Sequence, residues 1–493
     1  MPIDRETHMT DQTDAKPRRR KPWYRPRNII LAAVLIVVLI VAWLFREVWK
    51  VYTDEPGADV DYRAQLTSLC ASRQPEGENG WPALASVLER LDAAAEEAKR
   101  PLRLAEADWD VIEAAGLDAM RMLLYEDGLL EELRIALDKP RFVRSWRDDG
   151  MLMDELLPLL SPGRQLATLL SERMRQGARE ERWGDVLDSF RMGMRLGEVT
   201  ARQPSGVHYM SGVAIQGCVL SEARHMMREC DAPVALAAEI GAIVATHVPP
   251  PVAYHLEVGR LSTHDIMQWM HGMCGYALPL VTLFEKQPVT GGFAMMTPVH
   301  PVNDERSLLR AEAARFYLAT RAENEALVDR WFAAQAAEAK APFAARWSTF
   351  PPTPLASEIQ DPKHAILAYF LAPLNRLIDA ADFARMNRDA TRLMAAIEQH
   401  EAEHGRPPDA LADLSPAYLL ELPTDPLHGG PFGYRPLHDD PYGRSYLLYS
   451  YGPDGVDDGG TPPIPPSSVD RSTCPVGMDI ILNPPRGEDT DPN

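Results

Sequence analysis

The residues of this chain whose types and spacing could do chemistry sit near its C-terminal end, at His400-Glu401-Ala402-Glu403-His404. On a helix, positions i and i+4 lie one turn apart on the same face. The two imidazoles would stand side by side, with Glu401 next to them. This is the H-E-x-x-H pattern of zinc peptidases, in which the histidines hold the metal and the glutamate is the general base. A working site also needs a third ligand and a carboxylate aimed at the metal-bound water. The longer pattern with a third histidine fails, because Pro407 and Ala410 stand where its glycine and its histidine belong. Glu421 is the nearest later glutamate, and nothing in its setting marks it as a ligand.

The competing reading of the same residues is structural. Met386, Ala390, Leu393, Ile397, His400 and His404 are spaced by alternating fours and threes, one apolar stripe that both histidines continue. The helix is expected to end at Gly405, just before Pro407 and Pro408. On this reading both imidazoles belong to an interior seam and the chain is not an enzyme. The alternative is a membrane-anchored zinc metallopeptidase with His400 and His404 as ligands and Glu401 as base.

The elements that position this motif belong to a long chain. It has 493 residues, 45% of them hydrophobic and 25% charged, which suits globular domains with substantial cores. Its net charge of −20 is uneven. Residues 1–27 carry an excess of Lys and Arg clustered from Lys16 to Arg27, so the remainder is still more acidic than the whole. A body of that sign repels phosphate, which argues against nucleic acid as a partner. The basic segment is followed by Asn28–Phe45, an uncharged apolar run too long for a strand. As a helix it rises about 25 Å, close to the thickness of a bilayer core. Trp23 and Tyr24 precede it, and Trp43, Trp49 and Tyr52 mark its other edge, as interfacial anchors do. No small-x-small cleavage site follows, so a retained transmembrane helix is expected rather than a signal peptide. The positive-inside rule places residues 1–27 in the cytoplasm. The chain is then a single-pass protein of the inner (cytoplasmic) membrane, its bulk in the periplasm. Protein partners are expected in the cell envelope. Five cysteines, Cys70, Cys218, Cys230, Cys274 and Cys474, show no C-x-x-C spacing. Two disulfides with one thiol left over and buried free thiols both remain open.

After a juxtamembrane segment over 46–80, residues 81–382 read as an α-helical body. Leu84, Val87, Leu88 and Leu91 share one helical face. The stretch from Arg164 to Met227 reads as three helices with breaks at Gly177–Gly184 and Gln203–Gly206, the look of stacked helical hairpins. A long helix is expected over about 304–340, a break at Ser348–Pro354, and another helix over about 363–381. Met267, Met270 and His271 could be soft metal ligands, but at helical spacing they read better as core. Neither a P-loop nor a dinucleotide fingerprint occurs in the sequence.

From Phe383 onward the sequence is more specific. The helix exit Glu401–Pro408 is followed by Leu422-Pro423-Thr424-Asp425-Pro426 and Tyr434. Next come Tyr449-Ser450-Tyr451-Gly452-Pro453-Asp454-Gly455, Gly459-Gly460 and Asp479-Ile480. In this order the motifs resemble the C-terminal domain of the major pseudopilin of type II secretion, the protein G family. The resemblance implies a small α+β domain over 383–482, with 483–493 as a disordered tail. It also implies a link to secretion and a calcium ion in the last loop. Its candidate ligands here are Ser450, Asp454, Asp457, Asp458 and Asp479, of which Asp454 and Asp479 fit the family best by position. The chain departs from the family in three ways. The prepilin processing site is missing, the helical body separates the span from the tail, and a Pro- and Ser-rich insertion lies between Gly460 and Asp479.

The expected fold class is therefore mainly α: an N-terminal transmembrane helix over 28–45, a helical-hairpin body and a small α+β pseudopilin-like C-terminal domain. The expected function is that of a membrane-anchored periplasmic scaffold or interaction protein.

Overall fold

A computed structural model describes residues 26–52, 59–105, 107–144, 160–229, 232–271, 317–348, 354–364, 367, 371, 377–441, 443–461 and 479–483. Within them the protein is mainly helical, with one small antiparallel sheet. Helix α1 is Pro26–Tyr52 and stands in a unit separate from the remaining elements. Among the described residues no helix is long and apolar enough to cross a membrane. The side chains described in α1 are those of residues 31–46 and 49, whereas a span takes about 20 residues.

The second unit begins with α2 (Tyr62–Ser72), capped by Asp61, whose carboxylate accepts the Ala64 N–H at 2.8 Å. Helices α3 (Trp81–Leu104), α4 (Trp109–Tyr125) and α5 (Leu129–Leu137) pack together. Leu84, Val87, Leu88 and Leu91 of α3 are all buried, as their spacing predicts. The next three helices are α6 (Leu160–Arg179), α7 (Trp183–Ala201) and α8 (Gly206–Glu229). Their breaks fall at the two expected sites. Helices α9 (Val234–Thr246) and α10 (Val252–Met270) complete this part, with Met267, Met270 and His271 in the core.

Of the helix expected over about 304–340, residues 304–316 lie outside the described residues. Thr320 and Glu323 form a reciprocal capping box, so α11 is Arg321–Glu338 and residues 317–320 are not helical. Short helices α12 (Phe343–Ser348) and α13 (Pro354–Ile359) flank residues 349–353, so most of the expected Pro-rich break lies outside the described residues. A 3₁₀ turn follows at Pro362–His364. Helix α14, Leu377–His404, then runs unbroken through position 383, where the C-terminal region was expected to begin.

Strands β1 (Gly433–Pro436), β2 (Tyr446–Ser450) and β3 (Ile480–Ile481) pair antiparallel in the order β1-β2-β3. Gly433 lies opposite Tyr449, and Ser450 opposite Ile480. All five residues of the central strand are buried. Asn483, expected to open the tail, instead closes the sheet: its amide accepts from Leu448 N at 2.8 Å and donates to Tyr446 O at 2.7 Å. One continuous core joins Phe190, Val219 and Ile240 of the helical body to Leu393, Ile397, Phe432 and Leu448.

Helices α7 and α8 approach so closely that glycines are required between them. A Cβ on Gly212 would lie 2.4 Å from both Ala201 N and Gly197 O, and one on Gly193 would lie 2.5 Å from Val219 Cγ1. Gly217, on the same helix as Gly212, meets nothing within 4 Å. Gly212→Ala is therefore expected to cost about 1–3 kcal/mol by overpacking. Gly217→Ala should instead stabilise by up to about 1 kcal/mol. Urea denaturation midpoints of the two variants check the contrast.

Candidate functional site

Helix α14 carries the H-E-x-x-H residues on its last turn and a half. Gly405 ends it with a left-handed φ of 71°, and its N–H reaches Glu401 O at 2.8 Å. Met386, Ala390, Leu393, Ile397 and His400 are buried, as the stripe predicts. His404 is exposed. The expectation of two interior imidazoles thus holds for His400 and is corrected for His404.

His400 Nδ1 lies 3.2 Å from Arg406 O, and His404 Nδ1 lies 3.0 Å from His400 O. A carbonyl can only accept, so these bonds place the proton on Nδ1 of each neutral ring and leave both Nε2 atoms as lone-pair donors. The rings stack with centroids 4.1 Å apart and planes 17° from parallel. Tyr418 meets His400 edge-on at 5.8 Å. The carboxylates nearby are engaged. Ser445 Oγ donates to Glu401 Oε2 at 2.8 Å, and Tyr418 Oη donates to Glu403 Oε2 at 2.6 Å. Glu421 is exposed. Among the described residues no group of three His, Cys, Asp or Glu is gathered to hold a metal. The motif thus offers two imidazoles, with its glutamate tied to the start of β2.

The acidic loop after β2 turns on Gly452, Gly455, Gly459 and Gly460, all at positive φ. It does not bring the five calcium candidates together. Ser450 Oγ turns away and donates to Asp425 Oδ2 at 2.6 Å. Asp454 closes its own turn by accepting the Val456 N–H at 3.2 Å. Asp457 Oδ1 accepts from Tyr449 Oη and Gly459 N, both at 2.9 Å. Asp458 N and Gly460 N donate to Asp479 Oδ2 at 3.0 and 2.7 Å. Among the described residues the other oxygen of Asp479 is buried without a partner, and burial pushes this carboxyl above its usual range. Calcium takes six to eight oxygens, and the described residues do not assemble such a shell. The insertion at 462–478 lies outside them.

Two buried sites are not among the candidate site residues of the sequence. Asp425 is fully buried and organises the loop from both sides. Besides Ser450 Oγ it accepts Leu427 N at 2.9 Å and Tyr451 N at 3.3 Å. The available signal was Thr424-Asp425-Pro426, a turn-initiating string. In the helical body, His208 and His255 are buried with all four ring nitrogens unpartnered among the described residues. The His255 ring lies 4.2 Å from that of Tyr209 and 4.8 Å from that of Tyr254. Burial pushes both histidines down to about 3, helped by Arg144 at His208 and by His208 at His255.

A further buried group, Glu198, is held at about 2: burial raises it, and His247, Arg195 and Arg202 outweigh burial. Arg202 also lines a cavity of about 360 Å³ with Cys70, Arg73, Pro250 and Tyr254. Cys70 is a buried free thiol and Cys218 is exposed, and the other three cysteines lie outside the described residues.

Comparison of the chain with protein-family models, with curated proteins and with solved structures finds no match.

Removing the Asp425 carboxylate by Asp425→Ala leaves buried donors unmet and is expected to cost about 3 kcal/mol, read in the urea midpoint. The histidine pair predicts acid sensitivity. Its folded protonation point of about 3 lies below the ordinary 6.5, so the unfolded chain binds more protons between these values. The contribution is full above pH 6.5 and is lost as pH falls, by about 1.4 kcal/mol per pH unit for each ring. In stability measured from pH 7 to pH 4, His255→Leu should remove one ring's share of the slope. An unchanged slope would show that the pair does not stay neutral in the folded state.

Proposed function

We propose that this chain is a membrane-anchored protein of the cell envelope, acting as a scaffold or interaction module linked to secretion. Its anchor is a transmembrane helix over 28–45, and its bulk lies in the periplasm. The observation that carries the reading is α1. Every large apolar side chain described on it, from Leu31 to Trp49, is 49–65% exposed, on all sides of the helix. A helix apolar all round is stable only when something apolar surrounds it. At about 25 cal/mol per Å² of apolar surface, leaving it in water would be costly. The sequence continues the apolar run to Ile29 and places the basic cluster Lys16–Arg27 before it.

The pseudopilin-like motifs of the C-terminal region support the secretion link. The scaffold reading is favoured over a peptidase by the engagement of Glu401, the motif's glutamate, with Ser445 beside the sheet. Partners are envelope proteins that meet the helical body or the sheet.

Membrane fractionation tests the anchor. The full chain should sediment with membranes, resist extraction by high salt and alkali, and enter solution in detergent. Deletion of residues 28–45 should move it to the soluble fraction. A full chain released by salt alone would overturn the reading.

A further inference from the structure

The cavity at the end of α2 has no role in the scaffold reading, yet its lining is that of an anion site. We propose that it binds a small organic carboxylate with an apolar body. The carboxylate meets the Arg73 guanidinium, and the body lies against Pro250 and Tyr254.

Three segments build the cavity. Cys70 and Arg73 come from the end of α2, and Arg202 is the residue after α7. The third is the link from α9 into α10, which carries three consecutive prolines ahead of Tyr254. The volume of about 360 Å³ falls at the small end of the range for ligand cavities. Most polar groups of the lining are already committed. Tyr254 Oη and Cys70 Sγ donate to Arg202 O at 3.1 and 3.6 Å. The Gln74 amide accepts from Phe142 N at 2.6 Å and donates to Phe142 O at 2.9 Å. Arg202 directs Nε and Nη2 to Glu198, at 3.1 and 2.7 Å. Arg73 differs from these. Its guanidinium lies over the Tyr254 ring, 5.3 Å from the centroid, and among the described residues no carboxylate pairs with it.

The electrostatics favour an anion. Among the described residues that line the cavity none is acidic, on a chain of net charge −20. Burial pushes the Cys70 thiol above its usual range, against Tyr254, Gln74, Arg202 and Arg141, so the sulfur adds no negative charge. The ligand class follows from the donors and the walls. A guanidinium matches a planar carboxylate with two parallel N–H bonds. A phosphate cradle draws instead on successive backbone N–H groups, and Pro249, Pro250 and Pro251 have none to give. Their rings and the face of Tyr254 are apolar, so they favour an aryl ring or short alkyl chain behind the carboxylate.

The experiment uses the full chain in detergent, titrated calorimetrically with 3-phenylpropionate, with its neutral amide and with inorganic phosphate. The expected result is one submillimolar site for the acid, with the amide at least tenfold weaker and phosphate unable to displace the acid. Because Arg73 is exposed, Arg73→Gln should leave the circular dichroism unchanged and weaken the acid at least tenfold. The same variant in the same detergent accounts for partition of the acid into micelles. Affinity for the acid within twofold of the parent in Arg73→Gln would overturn the proposal, as would the absence of any site for the acid. The comparison of ligands needs no variant. Equal affinity for acid and amide would show that the guanidinium does not read the charge, and displacement of the acid by phosphate would show a bare anion site. Either result would count equally against it.

Discussion

The burial of helix α14 between α8, α9 and the three-stranded sheet is the contact on which the rest of the second unit depends. Its inner face, with Leu393 and Ile397 fully buried, must satisfy the helical body and the sheet at once. Each such side chain contributes about 1.5–3 kcal/mol relative to exposure. Polar ties fix its orientation. Arg224 of α8 donates to Asn387 O at 3.0 Å and to Thr391 Oγ1 at 3.2 Å. On the sheet side, Tyr446 Oη donates to Glu398 Oε1 at 3.2 Å, and Ser445 holds Glu401. A helix held this way cannot turn about its axis to offer Glu401 to a metal. The interactions that build the fold thereby set which residues of the motif are available for chemistry.

The same constraint shapes the body. Helix α8 meets α14 and, elsewhere along its length, α7. The approach to α7 is possible because Gly193, Gly197 and Gly212 leave backbone against backbone or side chain with no room for a Cβ. Gln216 then bridges the layer, donating to Met194 O at 2.9 Å and His247 O at 3.1 Å. Close packing of this kind leaves little space for water, which is consistent with histidines held neutral at 208 and 255.

Much of the helical part was legible in the sequence because it depends on short-range periodicity. The face of α3, the breaks around α7 and the stripe of α14 follow from spacing and from glycine at the helix ends. The expected continuous helix over about 304–340 is interrupted at residues 317–320, because the Thr320–Glu323 capping box starts α11 locally. Asn483 was misread as tail because its role is to bridge two backbone groups of β2, which no local pattern records. The calcium candidates follow from residue type and loop position. Which partner each one meets, Asp425 for Ser450, Tyr449 for Asp457 and the Asp458 and Gly460 N–H groups for Asp479, depends on which way each side chain turns at the sheet edge.

What the sequence determined by itself was the helical class of the chain, the uncharged apolar run at its N-terminal end and the i, i+4 pairing of two histidines. These are properties of composition and of spacing along one helix. What only the tertiary structure decided was the environment of each group. His400 is buried against Tyr418 and the Arg406 carbonyl, Ser445 engages Glu401, His404 is left exposed, and burial in the helical body desolvates His208 and His255. Burial and hydrogen bonding are set by residues far apart in the chain, so the chemistry of an individual side chain becomes readable only once those residues are in place.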